Sequence, residues 1–230
     1  IFLLKILFYN FSNGIITNSK KSKRSLDKIL LKDKTALIHN PYLNKINNDK
    51  KKDRDKIILS VGRLCKQKNQ TTSIKAFAKF LKQYPDYKLI LIGHGPDESK
   101  LKKLCVKLNI NKNVSFKGWL KNPINFYKKS TLLIFPSLYE GLPNTLIDAV
   151  NYDLPCISSR CSGASDILTN QLGIFTPYND FKTLSKKIEF VVNNYSKVRS
   201  NHSKIKKKLS RFMISKQSLK YLNYCESIIK

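Results

Sequence analysis

The chain has 230 residues, of which 41% are hydrophobic, so it is long enough to bury one or two globular cores. Lysine and arginine number 44 against 15 acidic residues, which gives a formal net charge of +29. The excess is mostly lysine and is spread over the whole length among many asparagines, a pattern typical of a genome-wide compositional bias. Without an RNA-recognition stretch or a helix-turn-helix pattern, the charge indicates a solvated surface first and an anionic membrane second, and no specific nucleic acid.

Cysteines and histidines suggest no metal site and no catalytic triad. Five cysteines, an odd number, occur without a Cys-x-x-Cys pair, and the three histidines lie far apart in the chain. Reduced thiols in the cytosol are the simplest account, so we expect a cytoplasmic protein. The apolar segment 1–9 is too short to cross a bilayer and lacks the features of a signal peptide. Because the first residue is Ile, we expect a piece of a longer protein.

The first quarter of the chain predicts little regular structure. Segment 1–9 reads as the end of a packed helix, and short β-like runs at 14–17 and 35–39 flank a basic stretch. Residues 47–56 are wholly polar and contain a dense run of charges, which is typical of an exposed linker.

From residue 57 onward, strands and helices alternate regularly. Short apolar runs predict strands, whereas apolar residues at helical spacing, such as Ile74, Phe77 and Leu81, predict helices. The predicted strands are 57–61, 88–92, 114–116, 132–135, 156–159 and 174–176. The predicted helices are 71–83, 96–108, 123–129, 144–151, 164–168, 181–194 and 215–229. This succession predicts an α/β fold with a doubly wound parallel sheet of the Rossmann-like type.

The segment 135–148 contains the most informative pair of acids. Glu140 lies in the loop after strand 132–135, and Asp148 lies in the helix that follows. Open α/β sheets bind ligands at the carboxyl ends of their strands, beside helix N-termini whose free N–H groups favour anions. Carboxylates that accept hydrogen bonds from hydroxyls beside a phosphate site suit a sugar nucleotide. On the segment alone, two solvated acids in a connecting loop remain an equal alternative.

Other strand ends contribute glycines and basic residues. Gly62, Arg63 and Lys68 follow the strand 57–61, where arginine can bind phosphate bidentately and lysine adds a point charge. The segment is not a Walker loop, because it lacks the required Gly-Lys-Ser/Thr. His94 in the turn 92–96 is more typical of a loop residue than of an acid or base. Gly118 ends a third strand and leaves room for a flat base.

Together these segments resemble the C-terminal nucleotide-sugar domain of the retaining glycosyltransferases of family 4, which have the GT-B fold. The matching motifs are Val-Gly-Arg at 61–63 with Lys-Asn at 68–69, Ile-Gly-His-Gly-Pro at 92–96, Val-x-Phe-x-Gly at 114–118, Pro-Ser-x-Tyr-Glu-Gly-Leu-Pro-Asn at 136–144, and Ser-Gly at 162–163 with Asp-Ile-Leu at 166–168. The resemblance runs from about residue 10 to about residue 194, and five motifs in register make it specific.

The resemblance implies a domain organisation. Residues 1–45 are expected to be the end of an N-terminal acceptor-binding domain, most of which would precede residue 1. Residues 46–56 would be a polar linker, and 57–210 the nucleotide-sugar donor-binding domain. Residues 211–230 would form a C-terminal helix that crosses back to the first domain.

The resemblance also implies catalytic roles. Arg63 and Lys68 would hold the donor diphosphate and stabilise it as the leaving group, while Glu140 would contact the donor sugar. No metal or other cofactor is then expected, and Asp53 and Asp55 fall in the polar linker. In the family, the leaving phosphate itself helps to deprotonate the acceptor, so no general base is assigned.

The remaining predicted residues bind the donor. Asp148 would bind the ribose hydroxyls, although the family usually has glutamate there, which is one methylene longer. Backbone N–H groups of Leu142, Asn144 and Thr145 would add to the phosphate site at the helix N-terminus. The predicted donor-binding set is completed by Gly62, Gly118, Gly141 and Pro143.

The resemblance favours a UDP-linked donor over a GDP-linked one and a saccharide or lipid-linked saccharide acceptor in bacterial envelope assembly. The enzyme would be a hexosyltransferase in the cytoplasm or at the inner face of the cytoplasmic membrane. One alternative is a donor-domain-only module, or an inactive truncated copy, that needs a separate acceptor subunit. A charge-driven nucleic-acid-binding protein and a sugar-nucleotide epimerase of the same fold are further alternatives.

Overall fold

The structure is a computed structural model that describes residues 2–30, 34–48, 53–169 and 172–229, with side chains from residue 7 onward. The helices are α1 (Phe2–Phe11), α2 (Lys20–Asp27), α3 (Gln70–Leu81), α4 (Glu98–Lys107), α5 (Ile124–Lys129), α6 (Asn144–Asn151), α7 (Ala164–Leu168), α8 (Phe181–Asn193), α9 (Tyr195–Lys206) and α10 (Ile214–Ile229). The strands are β1 (Ile15–Thr17), β2 (Thr35–Leu37), β3 (Asp55–Val61), β4 (Lys88–Ile92), β5 (Val114–Phe116), β6 (Ser130–Phe135), β7 (Cys156–Ser159) and β8 (Ile174–Thr176).

The main sheet has six parallel strands in the order β5-β4-β3-β6-β7-β8, and β1 and β2 form a separate two-stranded parallel sheet. All six residues of β6 are buried, because helices cover both faces of the sheet. Successive side chains of β6 therefore enter different cores. Leu133 and Phe135 pack with α6, α7 and α9, whereas Leu132 and Ile134 pack with α3, α4 and α8.

Local sequence explains where the helices begin and which face they bury. The Asp180 carboxylate accepts a hydrogen bond from the Thr183 N–H at 2.8 Å and caps the N-terminus of α8. In α3, Ile74, Phe77 and Phe80 recur at spacings of three and are fully buried against the sheet. These helices fix the sheet, and the sheet positions the loops at its carboxyl edge.

The predicted doubly wound parallel sheet is confirmed, and the boundaries of β4, β5, β7, β8, α6 and α7 are those predicted. Strands β3 and β6 each begin two residues earlier than predicted, because Asp55 and Ser130 pair in the ladder beyond the apolar runs. The Thr131 hydroxyl also donates to the Asp55 carbonyl at 2.6 Å. The last two residues of the polar linker predicted over 46–56 therefore lie in β3, and residues 49–52 of its charge run lie outside the described residues. The lysine-rich tail holds one helix, α9, that the sequence pattern did not delimit.

The first part of the chain packs against the last. The Tyr224 hydroxyl on α10 accepts a hydrogen bond from the Ile15 N–H at 3.1 Å and donates to the Lys34 carbonyl at 2.7 Å. Leu43 forms a parallel bridge with Met213 just before α10. None of the helices that the structure describes is both long enough and apolar enough to cross a bilayer.

Candidate functional site

The sheet topology places the predicted catalytic residues beside one crevice. From β3 the chain proceeds outward through β4 and β5, and from β6 it proceeds outward in the opposite direction through β7 and β8. Loops that leave β3 and β6 therefore diverge, and open α/β sheets bind ligands at such a switch point. Arg63 and Lys68 follow β3, and Glu140 follows β6, so the three residues lie at this switch point.

Lys68 and Glu140 form an ion pair there. The Lys68 Nζ lies 2.6 Å from the Glu140 Oε1, and the two side chains are only 19% and 11% exposed. The Lys68 ammonium also lies 5.1 Å from the centroid of the Phe135 ring at the end of β6. A partly enclosed ion pair is screened less than one on the surface, so its geometry is held more firmly. The fold thus joins two predicted site residues that are 72 positions apart.

Arg63 and Gly62 lie at the mouth of the crevice. The Arg63 side chain is exposed, while its backbone carbonyl accepts a hydrogen bond from the Gln70 side chain at 3.0 Å. Gly62 has φ +151°, and a Cβ added to it would lie 3.3 Å from Cδ of Lys68. Glycine at this position therefore lets the Lys68 side chain cross the backbone on its way to Glu140.

Glycines hold the loops after β3, β4 and β5 against each other. A Cβ on Gly93, which has φ +136°, would lie 2.1 Å from the Gly62 carbonyl oxygen, and the Gly93 N–H donates to the Gly118 carbonyl at 2.7 Å. Gly118 itself has φ +64°, and no heavy atom lies within 4 Å of a Cβ built there. The wall of the crevice is therefore tightly packed at Gly93 and open at Gly118.

The loop after β6 is held by two other segments. A Cβ on Gly163 would lie 2.0 Å from the Gly141 carbonyl oxygen, and a Cβ on Gly141 would lie 2.8 Å from the Asn18 amide nitrogen. Leu142 and Pro143 are buried, whereas Asn144 and Thr145 begin α6 with one exposed and one half-buried side chain. The N-terminus of α6 thus faces the same edge of the sheet as Glu140.

Asp148 has a partner that the sequence did not indicate. Its Oδ2 accepts a hydrogen bond at 2.7 Å from the hydroxyl of Tyr42, which is 106 positions earlier in the chain. The pKa of Asp148 is raised to about 6, because burial raises it by more than the hydrogen bond from Tyr42 lowers it. Tyr42 follows an Asn-Pro pair in a segment without regular structure, so no local signal marks it. One carboxylate oxygen of Asp148 is therefore already engaged in a hydrogen bond within the protein.

Glu140 also borders the N-terminal segment. A cleft of about 430 Å³ lies between α2 and the loop after β6, and its lining includes Lys21, Tyr139, Glu140 and Ser162. Among the residues that the structure describes, no group of three or more His, Cys, Asp or Glu side chains could hold a metal ion. The chemistry of the crevice, as described, consists of one enclosed acid, one enclosed ammonium, an exposed guanidinium and a helix N-terminus.

Comparisons with known proteins identify the family. The sequence profile of the family described as Glycosyl transferases group 1 matches residues 43–209. An uncharacterized glycosyltransferase of Methanocaldococcus jannaschii is 35% identical over 181 residues, which cover 73% of this chain and 45% of that protein. A Campylobacter jejuni enzyme, a GalNAc-alpha-(1->4)-GalNAc-alpha-(1->3)-diNAcBac-PP-undecaprenol alpha-1,4-N-acetyl-D-galactosaminyltransferase, is 28% identical over 206 residues, 87% of this chain and 57% of the enzyme.

Solved structures show the same fold. S. aureus TarM, crystallised as a mutant with fondaparinux, alpha-GlcNAc-glycerol and UDP, superposes with a TM-score of 0.84 at 23% sequence identity. The match covers 94% of this chain and 44% of TarM, and the fold is that of the GT-B glycosyltransferases. The chain spans about half the length of the curated relatives described above. With more than half of its residues matched by the family profile, the chain belongs to the glycosyl transferases group 1 family.

Proposed function

We propose that this chain is the donor-binding part of a retaining hexosyltransferase. It would move a hexosyl or N-acetylhexosaminyl group from a nucleotide sugar to a saccharide or lipid-linked saccharide. The observation that carries the proposal is the Lys68–Glu140 ion pair at the topological switch point, 2.6 Å long and largely enclosed. It joins a sugar-binding type of side chain to a phosphate-binding one at the place where such sheets bind nucleotides.

Each predicted residue has a role in this mechanism. Glu140 accepts hydrogen bonds from hydroxyls of the donor sugar, and Lys68 and Arg63 bind the diphosphate. As the bond between the sugar C1 and the diphosphate oxygen breaks, the electron pair leaves with the diphosphate, and the two cations stabilise the developing charge. The acceptor hydroxyl forms the new bond on the same face of the sugar, and its proton passes to the leaving phosphate. Because these cations stabilise the leaving group, we propose that no metal is required.

The other predicted donor contacts surround this centre. N–H groups at the N-terminus of α6, at Leu142, Asn144 and Thr145, add positive potential toward the diphosphate. The open space over Gly118 suits the nucleotide base, and Asp148 would bind the ribose with the carboxylate oxygen opposite Tyr42.

We favour UDP over GDP as the nucleotide and a lipid-linked saccharide among the acceptors. In support, a TarM mutant was crystallised with UDP, and the C. jejuni relative is named for N-acetylgalactosaminyl transfer to a saccharide on PP-undecaprenol. A cytoplasmic location with contact at the inner membrane face fits the basic surface, which attracts anionic lipids.

Calorimetry of nucleotide binding tests the proposal. We expect the chain to bind UDP more tightly than GDP or ADP, with an affinity between micromolar and millimolar. Arg63→Ala should weaken UDP binding by about tenfold to hundredfold, because a charge-assisted bond to phosphate is lost. Glu140→Ala should leave UDP binding intact but abolish the additional affinity for a UDP-sugar.

The matched control is Lys79→Ala, which removes one positive charge from the exposed face of α3. At high ionic strength this variant should bind UDP like the original chain. A folded sample that binds none of the three nucleotides would contradict the proposed function.

A further inference from the structure

A second cleft, of about 390 Å³, lies between α2 and the loop after β7, and its lining is strongly cationic. Three cations come from α2, one follows β7, and one precedes α10. These residues are Lys20, Lys21, Arg24, Arg160 and Arg211. We call this site the cation cleft. The acid on its lining is Asp166, so the ionised side chains there carry a net charge of +4, five cations against one anion.

The lining of the cation cleft is richer in basic residues than the chain as a whole. Lysine and arginine make up 44 of the 230 residues, about one in five, but they make up five of the ten residues that line the cleft. The chain has only six arginines, and three of them are on this lining. Arginine binds phosphate oxygens with a planar fork of donors, whereas lysine offers a single point charge. The presence of half of the chain's arginines on this one lining indicates recognition of a phosphate group.

A second basic groove shows how basic residues are arranged elsewhere on the surface. The groove between α3, α4 and α8 is lined by Lys75, Lys79, Lys82 and Lys107, together with Glu189. It includes no arginine among its lining residues. Its lysines are spaced along helix surfaces, as expected for solvated side chains. This lysine groove therefore serves as an internal control for the cation cleft.

Protein contacts hold the cation cleft in shape. The Arg211 guanidinium donates to the backbone carbonyl of Asp166, and the Arg160 guanidinium lies 4.6 Å from the Phe175 ring centroid. The Asp166 Oδ2 accepts the backbone N–H of Lys20 at 2.8 Å, which attaches the start of α2 to α7. Asp166 is a single anion and cannot balance all five cations, so repulsion among them remains. A bound anion would relieve that repulsion.

The position of the cation cleft indicates which substrate would supply the anion. Lys21, Cys161 and Ser162 line both this cleft and the cleft that contains Glu140, so the two are contiguous. The residues predicted to hold the donor diphosphate, Arg63 and Lys68, line neither of the two clefts. An anion bound here would therefore be separate from the donor diphosphate and next to the proposed sugar-transfer centre.

We propose that the cation cleft binds the phosphate or diphosphate group of the acceptor, so that the acceptor is a phosphorylated saccharide. The identification of the bound group as part of the acceptor rests on the proposed function. The existence of an anion site does not, because it is carried by the five cations and the contacts that hold them.

Calorimetry with inorganic pyrophosphate, performed at high salt and with UDP at saturation, tests the site. UDP fills the donor site, so any pyrophosphate that still binds is expected to occupy the cation cleft. We expect the double variant Arg24→Gln and Arg160→Gln to weaken this binding by about a hundredfold or more, since each loses a charge-assisted contact. UDP binding should not change. The matched control, Lys79→Gln with Lys82→Gln in the lysine groove, removes the same charge and should leave pyrophosphate binding unaltered.

The outcomes separate the two proposals. Absence of pyrophosphate binding at saturating UDP, or equal loss in the cleft and control variants, would overturn the anion site. A chain that binds no UDP but loses pyrophosphate binding only in the cleft variant would retain the anion site while the proposed function fails. A comparison of farnesyl diphosphate with methyl diphosphate, which has the same head group, then identifies the source. Tighter binding of the prenyl compound supports a lipid-linked acceptor, and equal binding supports a soluble phosphorylated one.

Discussion

At the scale of single residues, the two acids of the predicted donor site have different environments. Glu140 pairs with an ammonium, whereas Asp148 accepts a hydrogen bond from a neutral hydroxyl and is buried. The two acids therefore differ mainly in the side chain that each one contacts. Tyr42, which donates the hydrogen bond to Asp148, lies outside the motif that predicted Asp148.

The buried carboxyl group of Asp148 should make the stability of the protein depend on pH. Its pKa is raised from 3.8 to about 6, so the unfolded chain loses this proton at lower pH than the folded chain does. Protonation of Asp148 therefore favours the folded state, and this stabilisation is complete below pH 3.8 and is lost as the pH rises through about 6. Relative to Asp148→Asn, the original chain should lose about 1 kcal/mol of unfolding free energy between about pH 5 and pH 7. Urea denaturation of both proteins at these pH values measures the difference.

Tyr42→Phe is the companion variant for this experiment. The hydroxyl that this variant lacks lowers the pKa of Asp148. The loss of unfolding free energy with rising pH should therefore occur at a higher pH in the variant. A stability difference between the original chain and Asp148→Asn that stays constant over this pH range would refute the raised pKa.

At the scale of secondary-structure elements, glycines decide how closely the strand-end loops approach each other. Gly93→Ala should destabilise the protein by about 2–4 kcal/mol, because its Cβ would overlap the Gly62 carbonyl and its φ is positive. Displacement of the Gly62 loop should also weaken UDP binding through Arg63. Chemical denaturation and calorimetry on the same samples measure both effects.

Gly118→Ala is the control for backbone strain without overlap. Gly118 also has a positive φ, but its added Cβ meets no heavy atom within 4 Å. We expect a cost of about 1 kcal/mol from the left-handed conformation alone. Equal destabilisation by the two substitutions would show that the contact between Gly93 and Gly62 is unimportant.

The elements differ in how well the sequence predicted them. Strands β4, β5, β7 and β8 are bounded by polar or turn residues, so an apolar run and its hydrogen-bonded ladder end together. The ladder continues beyond the apolar run where Asp55 faces Ser130, because backbone groups pair whatever side chains they carry. The pattern of apolar runs therefore predicted all six strands of the main sheet but placed the starts of β3 and β6 two residues too late.

At the scale of the whole molecule, α10 fastens the N-terminal segment to the rest of the chain. The Tyr224 hydroxyl bonds both the Ile15 N–H and the Lys34 carbonyl, and it approaches Gly14 closely enough to exclude a Cβ there. Together with the bridge between Leu43 and Met213, this contact sets the position of α2 and thus one wall of both clefts.

Tyr224→Phe should lower the unfolding free energy by about 0.5–1.5 kcal/mol, because it removes the hydroxyl that bonds both the Ile15 N–H and the Lys34 carbonyl. The direct hydrogen bond from the Ile15 N–H to the Lys34 carbonyl at 2.9 Å remains, so neither group is left unpaired. The Ile15 amide should also exchange its hydrogen faster with solvent. Tyr221→Phe on the same helix is the control, since the Tyr221 hydroxyl makes no hydrogen bond with the residues that the structure describes. An unchanged unfolding free energy in Tyr224→Phe would show that α10 does not hold this segment.

The sequence by itself determined the alternation of strands and helices, the glycine turns after the strands, and Arg63, Lys68, Glu140 and Asp148 as candidate site residues. These features depend on residues close together in the chain, where periodicity and turn chemistry are sufficient signals. Only the tertiary structure decided that Lys68 meets Glu140, that Tyr42 meets Asp148, and that three of the six arginines converge beside α2. Such contacts join side chains from distant parts of the chain, and their geometry is set by packing that no local pattern encodes.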